Sequence, residues 1–568
     1  MSDASRPWLD NYDPSVPAHL DYENIPLYGL LEAAAERHPE RPAIVFRNTR
    51  LSYRRLSQLT DVAAGSLHAL GVRPGDRVAI MLPNLPQTII AYWAALKAGA
   101  AVVMTNPLYM ETELTHQLCD AGAETLITLD LLWPKYAALK NRLPVKRVIV
   151  TTIPQALSFP MNYLALAKLW REKKLASVPY KGTEVVRWPQ IVRGKATFRH
   201  AGVSPDEDIA LLQYTGGTTG VSKGCMLTHA TLVANLTQCR SMLHTLGREP
   251  EVFLGILPYF HVYGLTVCLN FPTAIGATLV PFPRFEPADV LAAVNKVKPT
   301  VFPGAPSVYM ALMQQKHFTD TDFASLKYCV SGSAAMPVEI LRRFQEITGA
   351  EIIEGYGLTE ASPVTHLNPL NGKRKPGTIG LPFPDTDARI VDMELGGIEL
   401  PPGKVGELVI RGPQVMKGYW NRPDDTAQVL RNGWLYTGDI ATMDEEGYFT
   451  IVDRKKDLII SAGYNIYPRE IDEVLYQHPR IKEAVTVGIP HKTRGEVVKA
   501  FVVPKNGAKL DKAEIIAFCK EKLAAYKVPR QVEFRADLPK TLVGKVLRRA
   551  LKEEELRRVA GRDKPSRN

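Results

Sequence analysis

Short apolar runs alternate with amphipathic stretches along the first two thirds of the chain. Residues 78–82, 101–104, 125–128, 148–151, 209–214 and 328–331 are brief and mostly apolar, as expected of strands covered on both faces. Residues 88–99, ending at a glycine, 287–298 and 337–348 carry helical spacing between them. Strands alternating with helices predict α/β layers with mostly parallel strands. Segment 391–448 differs: its β-like stretches are short and turn-rich, as in 406–411 and 433–438, which predicts a small antiparallel barrel. After Asp453 the pattern resets. A helix over 468–478, strands over 483–488 and 497–504, and a helix over 512–523 predict a compact α+β unit. The polar run 454–457 marks the junction, so domains are expected at 1–455 and 456–568.

Segment 252–283 contains no Lys, Arg, Asp or Glu and is long enough to span a bilayer. Pro258, Pro272, Pro281 and Pro283 interrupt it, with His261 and Asn270 inside. Pro272 would break a helix near its middle. The segment reads as strand, turn, buried helix and strand in a soluble core.

Composition excludes several classes. Of 568 residues, 23% are charged and 45% hydrophobic, ordinary for a soluble enzyme and unlike a disordered chain, a collagen or a coiled coil. The formal net charge of +11 is local. Residues 161–200 hold nine basic against two acidic side chains, and residues 540–568 ten against four. A near-neutral body with two basic segments is not a nucleic-acid binder. Each basic segment is either a solvated face or a contact for an anionic substrate or membrane. Six scattered cysteines without a CxxC pair argue against disulfides or zinc and fit a reducing cytoplasm. Residues 1–21 have no basic start followed by an apolar stretch, so no secretory signal is expected.

Four segments carry candidate chemistry. Residues 214–224 read Tyr-Thr-Gly-Gly-Thr-Thr-Gly-Val-Ser-Lys-Gly. Gly216, Gly217, Gly220 and Gly224 allow close backbone approach to a phosphate. Thr215, Thr218, Thr219 and Ser222 supply hydroxyl donors, and Lys223 a positive charge. A strand leads in, and a helical stretch from about His229 follows. The spacing is not that of a Walker loop, and a bare Gly/Thr-rich stretch is equally a flexible surface loop. Residues 354–360 offer Tyr356 as a flat face for a purine, with Thr359 and Glu360 as a hydroxyl and a hard oxygen ligand for Mg²⁺. Alone, they are equally a turn with a buried tyrosine. Residues 433–439 place the Asp439 carboxylate after a tight turn, where it can take two ribose hydroxyls or simply end a β-turn. Residues 539–545 end on Lys545 in a Gly-containing loop, otherwise a solvated basic tail.

These segments, with Asp453-Arg-Lys-Lys-Asp457, stand in the order found in acyl-adenylate-forming enzymes: acyl-CoA synthetases, adenylation domains and luciferases. The chain resembles that family from about Leu30 to Ala550. It is most similar to bacterial long-chain fatty acid–CoA ligases, through its version of the 214–220 loop and the basic insert at about 155–200. The resemblance implies a large N-terminal domain of layered α/β subdomains plus a small β-barrel, which binds AMP and the acyl group. A small mobile α+β lid carrying Lys545 follows.

The resemblance also implies roles. Thr215 to Lys223 hold the ATP β- and γ-phosphates, including Gly216, Gly217, Thr218, Thr219 and Gly220. Tyr356 stacks on adenine, with Gly332, Ser333 and Gly357 lining the base and acyl site. Thr359 and Glu360 serve the α-phosphate, and Glu360 with Thr218 the Mg²⁺. Asp439 and Arg454 hold the ribose, Lys545 reaches the carboxylate and α-phosphate, and Lys456 is the hinge. Gly463 lines the thiol tunnel. His261 sits at the carboxylate end of the acyl pocket, or is a satisfied core histidine.

Acetate-using relatives carry a tryptophan plug at the position of Gly357, so its absence implies depth for a longer acyl chain. Leu265 stands where some long-chain relatives carry a gating tryptophan. The implied reaction converts a fatty acid, ATP and CoA through acyl-AMP to acyl-CoA, with Mg²⁺ as cofactor. The readings left open are a medium-chain or aryl acid–CoA ligase, an acyl-AMP ligase loading a carrier protein, and a non-enzymatic ATP sensor. The last predicts loss of Lys545 or Glu360, and both are present. A cytoplasmic enzyme is expected. Weak peripheral contact of insert residues 159–174 with a membrane, a homodimer, and no nucleic-acid partner complete the partner expectations.

Overall fold

The structure is a computed structural model. It describes residues 6–172, 175–180, 182, 184–194, 198, 202–215, 222–462, 464–491, 493–505, 507–541 and 545–562. Two large sheets dominate it. One runs Gly418–Tyr419, Lys223–Thr228, Ile209–Thr215, Ala101–Met104, Arg77–Met81, Thr125–Leu129, Arg147–Thr151 and Val185–Arg187. The other runs Leu381–Pro382, Val364–Leu367, Glu351–Gly357, Tyr328–Ser331, Val301–Gly304, Val252–Gly255, Thr278–Pro281, Pro42–Phe46 and Thr49–Ser52. The central strands of both are parallel and buried on both faces. This is why the sequence shows them as continuous apolar runs.

The second sheet draws on distant parts of the chain. Ile44 pairs in parallel with Leu279, and the Thr278 hydroxyl donates to the Pro42 carbonyl at 2.7 Å, 236 positions away. Segment 252–283 folds as expected, with strands Val252–Gly255 and Thr278–Pro281 flanking buried helical turns over 262–274. Among the described residues no helix is long and apolar enough to cross a membrane.

A five-stranded antiparallel sheet occupies the barrel segment, built on Asp387–Val391, Gly406–Arg411, Leu430–Arg431, Trp434–Met443 and Phe449–Arg454. Beyond it, a further sheet pairs Tyr464–Ile466, Ile459–Ser461, Gly495–Pro504 and Ile481–His491, with Gln531–Phe534 alongside. Helices Pro468–Tyr476 and Lys512–Lys522 cover it. The apolar cores do not mix. The large ones end at Ile451, and the small ones begin at Ile459.

The helix expected from about His229 starts there, and a strand not read from the sequence separates it from the Gly/Thr-rich loop. Lys223–Thr228 returns antiparallel to Ile209–Thr215, and helix His229–Met242 starts only after it, capped by the Thr228 hydroxyl. The strands on either side of the Gly/Thr-rich loop are therefore paired, Thr215 with Lys223. Cys225, Leu227 and Thr228 are buried between sheet and body, and that burial holds the extra strand.

Candidate active site

The hairpin stem is held on three sides. Thr215 pairs with Lys223 and Tyr214 with Gly224. A Cβ on Gly224 would stand 3.1 Å from the Tyr214 ring, so this glycine is needed for the close approach. Tyr214 Oη donates to Asp120 Oδ2 at 2.7 Å, and Trp420 Nε1 donates to the Asp120 carbonyl at 3.1 Å. Ser222 Oγ donates to the Thr215 carbonyl at 2.5 Å, closing the neck. Gly216, Gly217, Thr218, Thr219 and Gly220 lie outside the described residues, as does Gly463.

Lys223 leads to the next cluster. Its Nζ pairs with Asp425 Oδ1 at 2.6 Å and lies 5.2 Å from the centre of the Tyr419 ring. Tyr419 Oη donates to Glu360 Oε1 at 2.7 Å. Burial, then the Glu360 carboxylate, pushes the Tyr419 phenol well above its ordinary pKa. Glu360 stands with Thr359 on the turn Thr359–Ala361, and its carbonyl accepts from Met416 N at 2.8 Å. Short strand Gly418–Tyr419, paired with Cys225 and Met226, thus ties the strand Lys223–Thr228 to the Glu360 turn.

Tyr356 ends the strand Glu351–Gly357. Its hydroxyl donates to Asp439 Oδ2 at 2.6 Å. Arg454 Nε meets the other carboxylate oxygen at 3.1 Å, because Asp439 and Arg454 are cross-strand partners. Burial, then the Asp439 charge, holds the Tyr356 phenol protonated.

Lys545 reaches the same centre from the C-terminal unit. Its amide donates to Thr541 Oγ1 at 3.1 Å, and its carbonyl accepts from Thr541 N at 2.8 Å. Burial and the Arg454 guanidinium bring its ammonium down to about 7, with Asp439 and Asp457 opposing. Burial and the Lys545 charge hold His261 down to about 4, so its ring is neutral near pH 7. His261 Nδ1 accepts from Tyr263 N at 3.3 Å, at the start of helix Val262–Leu265. Lys456 is exposed in the turn after Arg454.

Below this centre, Tyr263 Oη donates to the Gly304 and Val330 carbonyls, each at 3.1 Å. Gly332 rests on the Tyr263 ring, where an added Cβ would come within 2.9 Å. Ser333 follows with φ +72°. Leu265 is fully buried.

Gly357 is closely packed against the backbone that follows the Thr359–Ala361 turn. A Cβ there would come within 2.1 Å of the Pro363 carbonyl oxygen and 2.7 Å of its carbon. The missing side chain is demanded by backbone packing against the partner strand. A tryptophan at 357 would collide there before it could plug a tunnel, so glycine here is not by itself a measure of acyl depth.

Sequence reasoning missed Tyr419, Asp425, Asp120 and Tyr263. Of these, only Tyr419 had a local signal, as an aromatic in the glycine-flanked stretch before Arg422-Pro423.

Residues 31–420 match the AMP-binding enzyme family, and residues 470–545 match the AMP-binding enzyme C-terminal domain. The chain is 47% identical over 556 residues to a long-chain-fatty-acid–CoA ligase of Bacillus subtilis (strain 168), covering 97% of this chain and 98% of that one. It is 40% identical over 562 residues to a long-chain-fatty-acid–CoA ligase of Yersinia pestis, covering 97% and 98%. Among solved structures, ATP-bound MatB from Rhodopseudomonas palustris superposes with a TM-score of 0.80 at 30% identity, covering 94% and 99%.

Proposed function

The chain belongs to the AMP-binding enzyme family, and from that premise we propose how its residues divide the work. The enzyme is an ATP-dependent long-chain fatty acid–CoA ligase. The fatty carboxylate attacks the α-phosphorus of ATP, an O–P bond forms and pyrophosphate leaves. The CoA thiol then attacks the acyl carbonyl of the adenylate, and AMP leaves. No covalent enzyme intermediate is needed, so no nucleophile–base pair is required.

Two anions must meet in the first step, so the task is charge neutralisation and alignment. The observation that carries our reading is the convergence of Lys545, Arg454, Asp439 and Tyr356 from both parts of the chain. Lys545 comes from beyond the junction and brings its ammonium to the carboxylate and α-phosphate. The anions of bound substrate raise its pKa and keep it charged. Asp439 accepts the ribose hydroxyls, Tyr356 lies against the adenine, and Lys223 with the 215–220 loop holds the outer phosphates. Neutral His261 borders the carboxylate end of the acyl site. Thr359 and Glu360 face the α-phosphate.

The residues present fit Mg²⁺. Among the described residues no group of three or more His, Cys, Asp or Glu is placed so that it could hold a metal ion by itself. One anchored carboxylate, Glu360, is the donor set expected where substrate phosphates and water complete an octahedron. Bound there, Mg²⁺ neutralises phosphate charge. We place the domain boundary at about residue 456, with Lys456 as the hinge; the separate apolar cores support it. Rotation there would exchange Lys545 for a thiol path past Gly463.

The test is pyrophosphate release across C2 to C18 acids and aryl acids, with and without CoA. Long-chain acids with CoA should be fastest. Preference for aryl acids, or turnover independent of CoA, would overturn the reading.

A second observation favours contact with lipid. Helix Met161–Arg171 buries none of its residues, and Phe159, Tyr163 and Trp170 are 78%, 64% and 74% exposed. Tyr163 and Trp170, seven apart, share one side of the helix, beside Lys168 and Arg171, and Phe159, just before the helix, packs edge-on against Tyr163. An apolar stripe flanked by basic residues suits a bilayer interface, where the substrate partitions.

A further inference from the structure

An ion cluster beside the reaction centre joins the two parts of the chain. Arg548 lies three residues beyond Lys545 and opens the helix Arg548–Arg562. Its Nη2 meets Asp472 Oδ2 at 2.5 Å. Its Nη1 faces Asp453 Oδ1 at 3.9 Å and Asp457 Oδ2 at 3.8 Å. Asp472 belongs to helix Pro468–Tyr476 of the small unit, and Asp453 to strand Phe449–Arg454 of the large one. Asp457 follows the Lys456 turn. Both Asp453 and Asp472 are buried.

The two arms of Arg548 differ in kind. The Asp472 arm is a hydrogen-bonded ion pair within the small unit. The Asp453 arm crosses the junction, is longer, and meets a carboxylate already fixed. Arg454 N donates to Asp453 Oδ1 at 2.7 Å, and Arg469 N, from the small unit's helix, donates to Oδ2 at 2.8 Å, itself a contact across the junction. The residue next to Asp453 is Arg454, the partner of Asp439. Arg548 therefore fastens the chain that carries Lys545 to the strand end that presents the proposed ribose site. A contact that fixes one orientation and is later given up must be breakable. The Arg548 arm, at 3.9 Å, parts more readily than a buried pair at hydrogen-bond distance, and the backbone bond from Arg469 to Asp453 must part with it.

We propose that Arg548 is a positioning residue that selects the adenylate-forming orientation. Its Asp453 arm latches the small unit with Lys545 in place, and its Asp472 arm travels with that unit when the latch opens. This rests on the two-step reading above.

The test uses the full-length enzyme and measures the half-reactions separately: pyrophosphate release from palmitate and ATP without CoA, and palmitoyl-CoA formation from supplied palmitoyl-AMP. Arg548→Gln and Asp453→Asn should each slow the first at least tenfold in kcat, with KM for ATP within twofold. The second should stay within twofold. The double variant should be no slower than the slower single one, and Arg548→Lys should recover much of the loss. Asp472→Asn, which touches only the arm inside the small unit, should lower Tm and slow both half-reactions together. Equal losses in both half-reactions for Arg548→Gln and Asp453→Asn, or a double variant showing the product of the two single losses, would overturn the latch. Failure of the unaltered enzyme to make acyl-AMP from any acid would overturn the enzymatic reading, and the latch with it.

Discussion

Tyr356 and Asp439 are bonded to each other: the tyrosine hydroxyl donates to Oδ2 at 2.6 Å while Arg454 occupies Oδ1 at 3.1 Å. In the proposed role of Asp439, a ribose diol would have to compete with Tyr356 for the carboxylate. Tyr356→Phe keeps the flat ring and frees one oxygen, so KM for ATP should stay within about threefold. Asp439→Asn removes the ionic acceptor and leaves Arg454 without its anion. Losing a hydrogen bond to a charged group costs about 2–3 kcal/mol, so kcat/KM for ATP should fall roughly fiftyfold. Steady-state kinetics in ATP checks both, and equal effects would show that Asp439 does not hold the sugar.

Lys545→Gln should cripple pyrophosphate release by about 3–4 kcal/mol of lost transition-state stabilisation. Thioester formation from supplied acyl-AMP should be spared. Comparable losses in the two assays would remove Lys545 from the first step.

The depressed Lys545 pKa, about 7 against 10.5 ordinarily, also has a thermodynamic signature. Between those values the unfolded chain binds more protons than the folded one, so stability rises with pH across that window. Melting temperatures of the enzyme without nucleotide, measured at pH 7 and pH 9, should show a larger upward step for the unaltered chain than for Lys545→Gln. Identical steps would place Lys545 in solvent.

Gly357→Ala tests the packing account of that position. With the new Cβ driven into the Pro363 backbone, overpacking should cost roughly 1–3 kcal/mol of stability. Activity should fall alike on C8 and C16 acids. A selective loss of C16 turnover at unchanged Tm would return Gly357 to the acyl tunnel.

The exposed helix Met161–Arg171 should give partial co-sedimentation with anionic vesicles at low salt, reversed at high salt, since each basic side chain near such a surface contributes about 1 kcal/mol. Replacing Tyr163, Leu166 and Trp170 with Ser should abolish it without altering octanoate turnover. Binding that survives the triple replacement would assign the contact to another surface.

Much of the fold is legible in the sequence because buried parallel strands such as 101–104 and 125–128 are apolar without interruption. The strand Lys223–Thr228 was hidden: it is short, begins with Lys-Gly and runs straight into a helix. Candidate site residues are legible where one short motif holds them, as with Tyr356 and Glu360 or Asp439. They are not legible where contact is made across the fold. Nothing near Asp425 announces Lys223 as its partner, and nothing near Arg548 announces Asp453. The crowding at Gly357 depends on where Pro363 turns back, which no spacing rule supplies.

The pairing of Ile44 with Leu279 sets a timetable for biosynthesis. The hairpin of Pro42–Phe46 and Thr49–Ser52 leaves the ribosome early, yet its partner strand is made 236 positions later. At roughly 5–20 residues per second, the wait is on the order of 10–50 s. Throughout it the hairpin presents an unpaired strand edge, the kind of surface that recruits foreign strands. Neighbouring strands of the other sheet at 77–81, 101–104 and 125–129 are emerging meanwhile. The nascent chain thus completes strands of one sheet before the first strands of the other can be placed, and during that interval the open edge must stay unpaired rather than join a wrong strand.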